Sequence, residues 1–381
     1  MSAHAVGEGT RAIVDRVRST RAARLPLRIT GGGHWLDAGR PCRAAETLGL
    51  AGHAGVVEYE PGDLTLTARA GTTLAELERV TRAEGQWLPL DPFGPDDGTL
   101  GATIATASAG PLASAFGTPR DHVLGCELVT GTGEVVRAGG RVVKNVAGFD
   151  LVRLSTGAWG TLGVLTETSV RLRALPEVDR TLAVEAGASE AWHWLRASEY
   201  SPYAAEMVTA GLAIALGVGT GATLLLRIGG NEALVRAASA SATALGPSRD
   251  VDGAVWKALA ASEPARAAVI RLSTAPSRSA VLWERAAAIV ERASGVAHAT
   301  LPRGVVRCIL PVHGASEEEY ARLRGIIGSL QHLASSVVER LPAALWPALV
   351  PAAAADPLSV GVRNAFDPDR LLNPGILGEL A

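Results

Sequence analysis

The sequence predicts an α+β protein of two unequal domains and a returning tail, and three observations carry that prediction. The chain has 381 residues, more than one ordinary hydrophobic core organises. Its first half alternates short apolar runs of period two with a capped helix, the pattern of small antiparallel hairpins beside helices. Its middle, 178–341, runs through one order of elements twice. A repeated split β-α-β predicts an antiparallel, ferredoxin-like sheet with helices on one face. The boundaries expected from these patterns are 1–176, 177–345 and 346–381.

Residues 25–30, LPLRIT, read as a strand feeding Gly31, Gly32, Gly33 and His34. No G-x-G-x-x-G opens a helix after them, so a Rossmann turn is not supported. Three glycines after a strand form either a plain hairpin or a nest of aligned N–H groups suited to a pyrophosphate. GVVEYEPGD and LTLTARAG then alternate as two strands around Pro61, Gly62 and Asp63, a turn-forming trio. Thr72 or Thr73 caps the helix that follows, which stops at Gly85.

The segment 88–110 is rich in proline and then in small residues: Gly98, Gly101, Ala102, Ala105, Ala107 and Gly110. A long irregular loop in a compact domain is usually functional. Its small side chains let either a flat ligand lie against backbone or a helix pack closely. A hairpin at 123–137, turning at Gly131, Thr132 and Gly133, leads into 139–171. There Gly157, Gly160 and Gly163 precede the alternating strand VLTETSV. This is a tight turn, or a loop that presents bare peptide groups to a ligand.

In the middle domain, a strand at 181–186, a helix at 189–198, a hairpin pairing 211–216 with 222–228 and a helix at 231–245 form the first repeat. Strand 265–274, helix 279–293, strands 296–301 and 304–312, helix 316–330 and strand 336–341 form the second. The tail ends in Asn373, Pro374 and Gly375. With so few core residues it is ordered only by docking on another domain.

Composition narrows the function classes. With 48% hydrophobic and 19% charged residues the chain suits a globular protein with a large core. A net charge of −2 gives no field that favours nucleic acid or an anionic membrane. Lysine occurs only at Lys144 and Lys257. Cys42, Cys126 and Cys308 lie far apart with no C-x-x-C, so the chain alone is expected to hold neither an iron–sulfur cluster nor a cysteine zinc site. A reducing cytoplasm is the default for such a cysteine content. The opening MSAHAVGEGTRAIVDRVRST has no apolar h-region, so no signal peptide is expected. The uncharged stretch 208–226 is broken by Gly211, Gly217, Gly219 and Gly221, which favours a hairpin over a transmembrane segment.

Four features occur in one order: Arg28 with Gly31–Gly33, the small-residue segment at 98–107, the glycines at 157–164, and the C-terminal Asn373-Pro-Gly. Together they resemble the vanillyl-alcohol oxidase (PCMH-type) FAD-binding superfamily. VVKNVAGFDLVRLSTGAWGTLGVLTE and FDPDRLLNPG are similar to the FAD-binding subunits of bacterial glycolate oxidases. The resemblance covers 25–176 and 360–377 well and the middle more loosely. It implies a two-subdomain PCMH-type FAD-binding domain, with the ferredoxin-like antiparallel sheet as a cap. It implies FAD as cofactor, with the pyrophosphate on the backbone of Gly31, Gly32 and Gly33 and with His34 at the last contact of that loop. Gly98, Thr99, Gly101 and Thr103 would flank pyrophosphate and ribityl groups. Gly157, Gly160, Gly163 and Val164 would meet the isoalloxazine or adenine edge through main-chain atoms, and Asn373 would reach the flavin from the tail. His34 is either a covalent link to the flavin 8α carbon, as in other branches of the superfamily, or a neutral histidine donating to phosphate.

Oxidising a 2-hydroxy acid requires a carboxylate clamp and a proton acceptor. Arg227 and Arg271 interrupt apolar strands at matching places in the two half-repeats, where a charge is costly unless paired. They are the clamp candidates, with snorkelling at a strand end as the plain alternative. His298 and His313 are the candidate bases. No divalent-metal pattern of paired histidines followed by Glu-His is present. The resemblance therefore implies an FAD-binding subunit of a glycolate (2-hydroxy acid) oxidase or dehydrogenase complex, cytoplasmic and peripheral to the inner membrane through that complex. Its partners would be a sister flavoprotein subunit and an iron–sulfur subunit. The alternatives are a self-sufficient FAD-dependent alcohol or sugar-lactone oxidase, or a non-catalytic assembly subunit with a vestigial FAD fold.

Overall fold

A computed structural model describes residues 7–140, 150–314, 316–350 and 356–378. The VVKNVAGF part of the family-like stretch lies outside them. Two sheets organise the chain. A five-stranded sheet runs in the order Val56–Glu60, Thr65–Arg69, Val164–Arg171, Val123–Val129, Val135–Gly139. Leu66, Ala68, Leu128, Val164 and Val170 fill its core together with Val17 of the first helix, Glu8–Ala22. Beside it Leu27–Thr30 pairs in parallel with Glu46–Gly49, and the glycine loop leaves the end of that first strand.

The second sheet has eight strands, in the order Ser248–Val251, Val178–Glu185, Thr223–Gly230, Ala204–Val208, Val296–Thr300, Val305–Pro311, Ala267–Ser273, Ser335–Arg340. Numbered within each repeat, both halves read 4-1-3-2 from their outer edges, and the two second strands join antiparallel at the middle. The expected duplication is thus a single continuous sheet. One face is apolar: Leu182, Met207, Leu224, Leu226, Ile270, Ala299, Val306 and Cys308 pack under the helices Ala188–Ala197, Glu232–Thr243, Ser279–Arg292 and Glu317–Gln331. Side chains alternate across a strand, so the opposite face carries Arg227, Glu206, His298, Arg307 and Arg271.

Two expectations are corrected. The segment expected as the strand 211–216 is a helix, Ala210–Ala215, and the first repeat takes its second strand from Ala204–Val208 instead. Alanine favours helix over strand, and burying Leu212 and Ala213 while leaving Ile214 exposed is what one helical face does. The small-residue segment expected as an irregular loop holds a helix, Leu100–Thr106, capped by the Thr99 hydroxyl, which accepts from the Ala102 amide. Among the described residues, no helix is long and apolar enough to cross a membrane.

Candidate functional site

Three glycine segments and the tail meet around one cleft. Its walls include Gly31, Gly32, Gly33 and His34 from the first loop, Gly98, Thr99, Gly101 and Thr103 from the second, Gly160 and Gly163 from the third, and Asn373 from the tail. Gly157 and Val164 do not line it. Gly157 donates its amide to Ile104 O at 3.0 Å and ties the third loop to the helix below. Val164 is fully buried, the first residue of its strand.

The glycines are required by contact as much as by conformation. A Cβ on Gly31 would fall 2.3 Å from Thr99 Oγ1, and one on Gly101 would fall 2.6 Å from the Ala70 methyl. One on Gly160 would meet Asn373 Nδ2 at 2.8 Å. The loops therefore approach each other at backbone distance. Among the described residues, the amides of Gly32, Gly33, His34 and Trp35 donate to no protein acceptor. Buried or lining backbone donors are nearly always paired, and consecutive unpaired N–H groups form an anion-binding concavity.

Asn373 fastens the cleft. Its Oδ1 accepts from Ile29 N at 2.7 Å, its Nδ2 donates to Trp159 O at 2.7 Å, and its own amide donates to Leu27 O at 2.8 Å. Its φ of 44° is left-handed, a region that asparagine tolerates better than most residues. His34 folds back over Gly32 and places Nε2 2.9 Å from Asp97 Oδ2. It joins the first loop to the proline-rich segment across the cleft.

That proline-rich segment carries the cleft to the polar face of the large sheet. The Arg227 guanidinium lies 5.2 Å from the Trp87 ring centroid, Phe93 packs 5.3 Å from the His298 ring, and the Arg307 guanidinium lies 4.1 Å over Phe93. Gly94 N donates to Ala260 O at 2.8 Å, and Lys257 Nζ reaches Asp96 at 3.0 Å. The other side of the cleft is held by Arg340, which pairs with Asp37 at 2.6 Å and Glu263 at 2.8 Å.

Arg271, Arg307 and His298 sit side by side in register on three neighbouring strands. His298 Nδ1 lies 2.6 Å from Glu206 Oε1, both side chains being buried. His298 Nε2, Glu206 Oε2 and Arg307 Nη2 are buried without a partner. Arg307 is otherwise bonded to Glu263 and Glu339. Asp91, which accepts from Leu112 N at 2.8 Å, has its carboxyl pushed up to about 7 by burial. His313 is exposed and does not line the cleft; its amide donates to Glu319.

Arg227 and Arg271 do not occupy equivalent positions of the repeat: one is on a third strand, the other on a first. Both already hold carboxylates. Arg227 bonds Asp179 at 2.6 Å, and Arg271 donates Nε to Glu339 and Nη1 to Ser273. The sequence shows these charges but not their partners, and no motif in it marks Arg303, Glu206 or Phe93. A charged residue within the apolar run 204–208 was the one available signal for Glu206.

Among the described residues, no group of three or more His, Cys, Asp and Glu is placed to hold a metal ion. Burial pushes the Cys126 thiol up to about 11 and the Cys308 thiol up to about 12, so neither is a nucleophile.

Residues 4–139 match the protein family described as "FAD binding domain". The chain is 39% identical over 184 residues, 48% of its own length, to glycolate oxidase subunit GlcE of Escherichia coli (strain K12), and covers 52% of it. It is 37% identical over 127 residues to glycolate oxidase subunit GlcD of Bacillus subtilis (strain 168), 33% of this chain and 27% of that one. It is 39% identical over 115 residues to the mitochondrial D-lactate dehydrogenase (cytochrome) of Arabidopsis thaliana, 30% of this chain and 20% of that one. The chain thus spans about half the length of the first of these curated relatives and less of the others. Among solved structures, 4-ethylphenol oxidase from Gulosibacter chungangensis in complex with isoeugenol superposes with a TM-score of 0.72 at 16% identity, over 97% of this chain and 87% of that one. Alkyldihydroxyacetonephosphate synthase gives 0.71 at 17%, over 96% and 74%. The chain therefore shares the fold of these solved structures over nearly its whole length, and over about half of its length or less it is similar in sequence to glycolate oxidase subunits and a D-lactate dehydrogenase.

Proposed function

We propose that this chain is the FAD-binding subunit of a glycolate (2-hydroxy acid) oxidase or dehydrogenase complex, passing electrons to a sister flavoprotein subunit and an iron–sulfur subunit. The observation that carries the reading is the run of four unpartnered amides at Gly32–Trp35, opening on a cleft walled by two further glycine segments. This fits a two-phosphate cofactor, because aligned N–H dipoles neutralise phosphates without lysine. Similarity to GlcE over 184 residues supports the choice of complex.

In this reading Gly31, Gly32 and Gly33 hold the pyrophosphate through backbone, with His34 at the end of the loop. Gly98, Thr99, Gly101 and Thr103 flank the pyrophosphate and ribityl groups. Gly160 and Gly163 face the ring system, Gly157 and Val164 support them from below, and Asn373 fixes the wall from the tail. FAD, when bound, supplies a two-electron acceptor. The chain's own work is to bind, orient and exclude water. Neither candidate base lines the cleft, and His298 is the nearer, packing on Phe93, which does: donating Nδ1–H to Glu206 would leave its Nε2 lone pair free to hold a proton. Arg227 and Arg271 would serve as clamps only by sharing guanidiniums already committed to Asp179 and Glu339.

The test is the FAD-loaded full chain, with and without its sister subunit, mixed anaerobically with glycolate, lactate and a sugar lactone. Bleaching of the flavin bands by glycolate or lactate is expected. Bleaching by the lactone alone would favour a self-sufficient sugar-lactone oxidase, and a chain that takes up no flavin would sink the proposal. Acid precipitation answers the question about His34: colour that stays with the pellet means a covalent link, and colour that leaves with the supernatant means none.

A further inference from the structure

We infer that Arg303, with Arg271 beside it, forms a carboxylate-binding site in the seam between the polar face of the large sheet and the FAD-binding domain, and that a small monocarboxylate is its ligand. The choice of a 2-hydroxy acid within that class rests on the reading above. Arg303 ends the short turn Leu301–Arg303 that joins the strands Val296–Thr300 and Val305–Pro311. It is half-buried, and among the described residues no acceptor lies within hydrogen-bond or ion-pair distance of its guanidinium.

Its neighbours make that unusual. Arg227 holds Asp179, Arg307 holds Glu263 and Glu339, and Arg340 holds Asp37 and Glu263. Arg271 spends Nε on Glu339 and Nη1 on Ser273, while Nη2 makes no bond. The charges that act on Arg303 come from both sides of the seam: Glu206 and Arg271 from the sheet, Asp91 and Asp121 from the FAD-binding domain. Burial, more than any of them, holds its pKa below the usual arginine range. A desolvated cation without a counter-ion is costly, and an anionic ligand removes the cost.

Geometry and charge then choose the class of anion. Two guanidinium forks suit a planar carboxylate, which accepts two parallel N–H bonds. Asp91, Glu206 and Asp121 around the seam repel a dianionic phosphate more than a single carboxylate. Glu206 is also the partner of His298, whose free Nε2 lies on the same sheet face. A ligand carboxylate at Arg303 would bring a hydroxyl at its α carbon toward that side. Oxidation to the 2-oxo acid gives up one hydroxyl proton and one hydride. His298 Nε2 would hold the proton, and FAD, when bound as the proposed function has it, would supply the two-electron acceptor for the hydride.

The experiment is calorimetric titration of the full chain with oxamate, a planar dead-end monocarboxylate that needs no flavin to be detected. FAD content and thermal midpoint are measured in parallel on the same preparations. Wild type is expected to bind oxamate. Arg303→Met is expected to weaken it by about thirtyfold with FAD content unchanged, and Arg303→Lys, which keeps the charge but not the fork, to fall between. Should the Met variant not fold, Arg303→Gln takes its place. Wild type that fails to bind oxamate, or a Met or Gln variant that binds it as tightly as wild type, overturns the inference. A chain without flavin that still shows Arg303-dependent oxamate binding leaves the carboxylate site standing and removes the flavin reading instead.

Discussion

Gly32 lies where three demands coincide: its amide is one of the four that face the cleft, a Cβ there would fall 2.8 Å from the His34 ring, and the Asp97 carbonyl is 3.4 Å away. Gly32→Glu adds bulk against that ring and a carboxylate where phosphates are to sit. The expected outcome is loss of bound FAD, by at least tenfold in the ratio of flavin to protein absorbance, with the large sheet still folded by circular dichroism. Retained flavin would mean that the cofactor lies elsewhere. Asn373 is a residue of another kind, because its side chain bonds two backbone groups from distant segments. Asn373→Ala leaves the Ile29 amide and the Trp159 carbonyl unpaired, at about 1–3 kcal/mol for each buried group. Both bonds are only part-buried, so denaturant unfolding should show a loss in the lower part of the summed range, about 2–4 kcal/mol, and Asn373→Asp, which keeps the acceptor but not the donor, should recover part of it.

The segment between Trp87 and Gly98 is the element on which the site turns, since it lines the cleft with one side and touches the polar sheet face with the other. Asp91 sits within it, and burial pushes its carboxyl up to about 7. A folded pKa above the unfolded one, near 4, means that the stability Asp91 contributes is fully present below about pH 4 and is lost as pH rises through about 7. Asp91→Asn keeps an acceptor for Leu112 N but cannot ionise. Between pH 5 and pH 8 the urea midpoint of wild type should fall relative to that of the variant, and parallel curves would contradict the assignment. At this scale the sequence is legible where the signal is local. Three consecutive glycines, the Thr73 cap and the Pro61–Asp63 turn can be read without a partner. Glu206 could not be placed, because its burial depends on His298, 92 positions later. Nor could Ala210–Ala215, whose alternative as a strand was displaced by Ala204–Val208 only once the sheet order was set. The arginines were visible as charges in apolar strands; which of them lacks a carboxylate is a property of the assembled sheet.

At the scale of the whole molecule, the cleft is walled by the smaller sheet's half of the chain and the tail, and the large sheet reaches it through Phe93, which packs on His298 and Arg307. Both repeats run 4-1-3-2 and meet at Ala204–Val208 and Val296–Thr300, so Glu206 and His298 come from different halves of the duplication. The tail then closes the circuit. Leu27 N donates to Leu371 O and Gly131 N to Phe366 O; Arg40 N and Arg43 N donate to Ile376 and Pro374. Asp367, buried, accepts from the Leu371 and Leu372 amides. Ending the chain at residue 350 removes every one of these bonds, together with Asn373 and the core residues Leu371 and Leu372, and keeps Trp346 in the core of the large sheet. The large sheet ends at Arg340 and keeps its own core under four helices, so the loss should be selective. The truncated chain is expected to lose FAD and to give rapid limited proteolysis within 7–140, while fragments from 178–340 persist. FAD at a hundredfold excess over its Kd should stabilise the full chain by about 2.7 kcal/mol and raise its thermal midpoint. It should leave the truncated chain unmoved, because a cofactor cannot stabilise a cleft whose fourth wall is missing. An equal rise in both would show that the three glycine segments suffice without the tail.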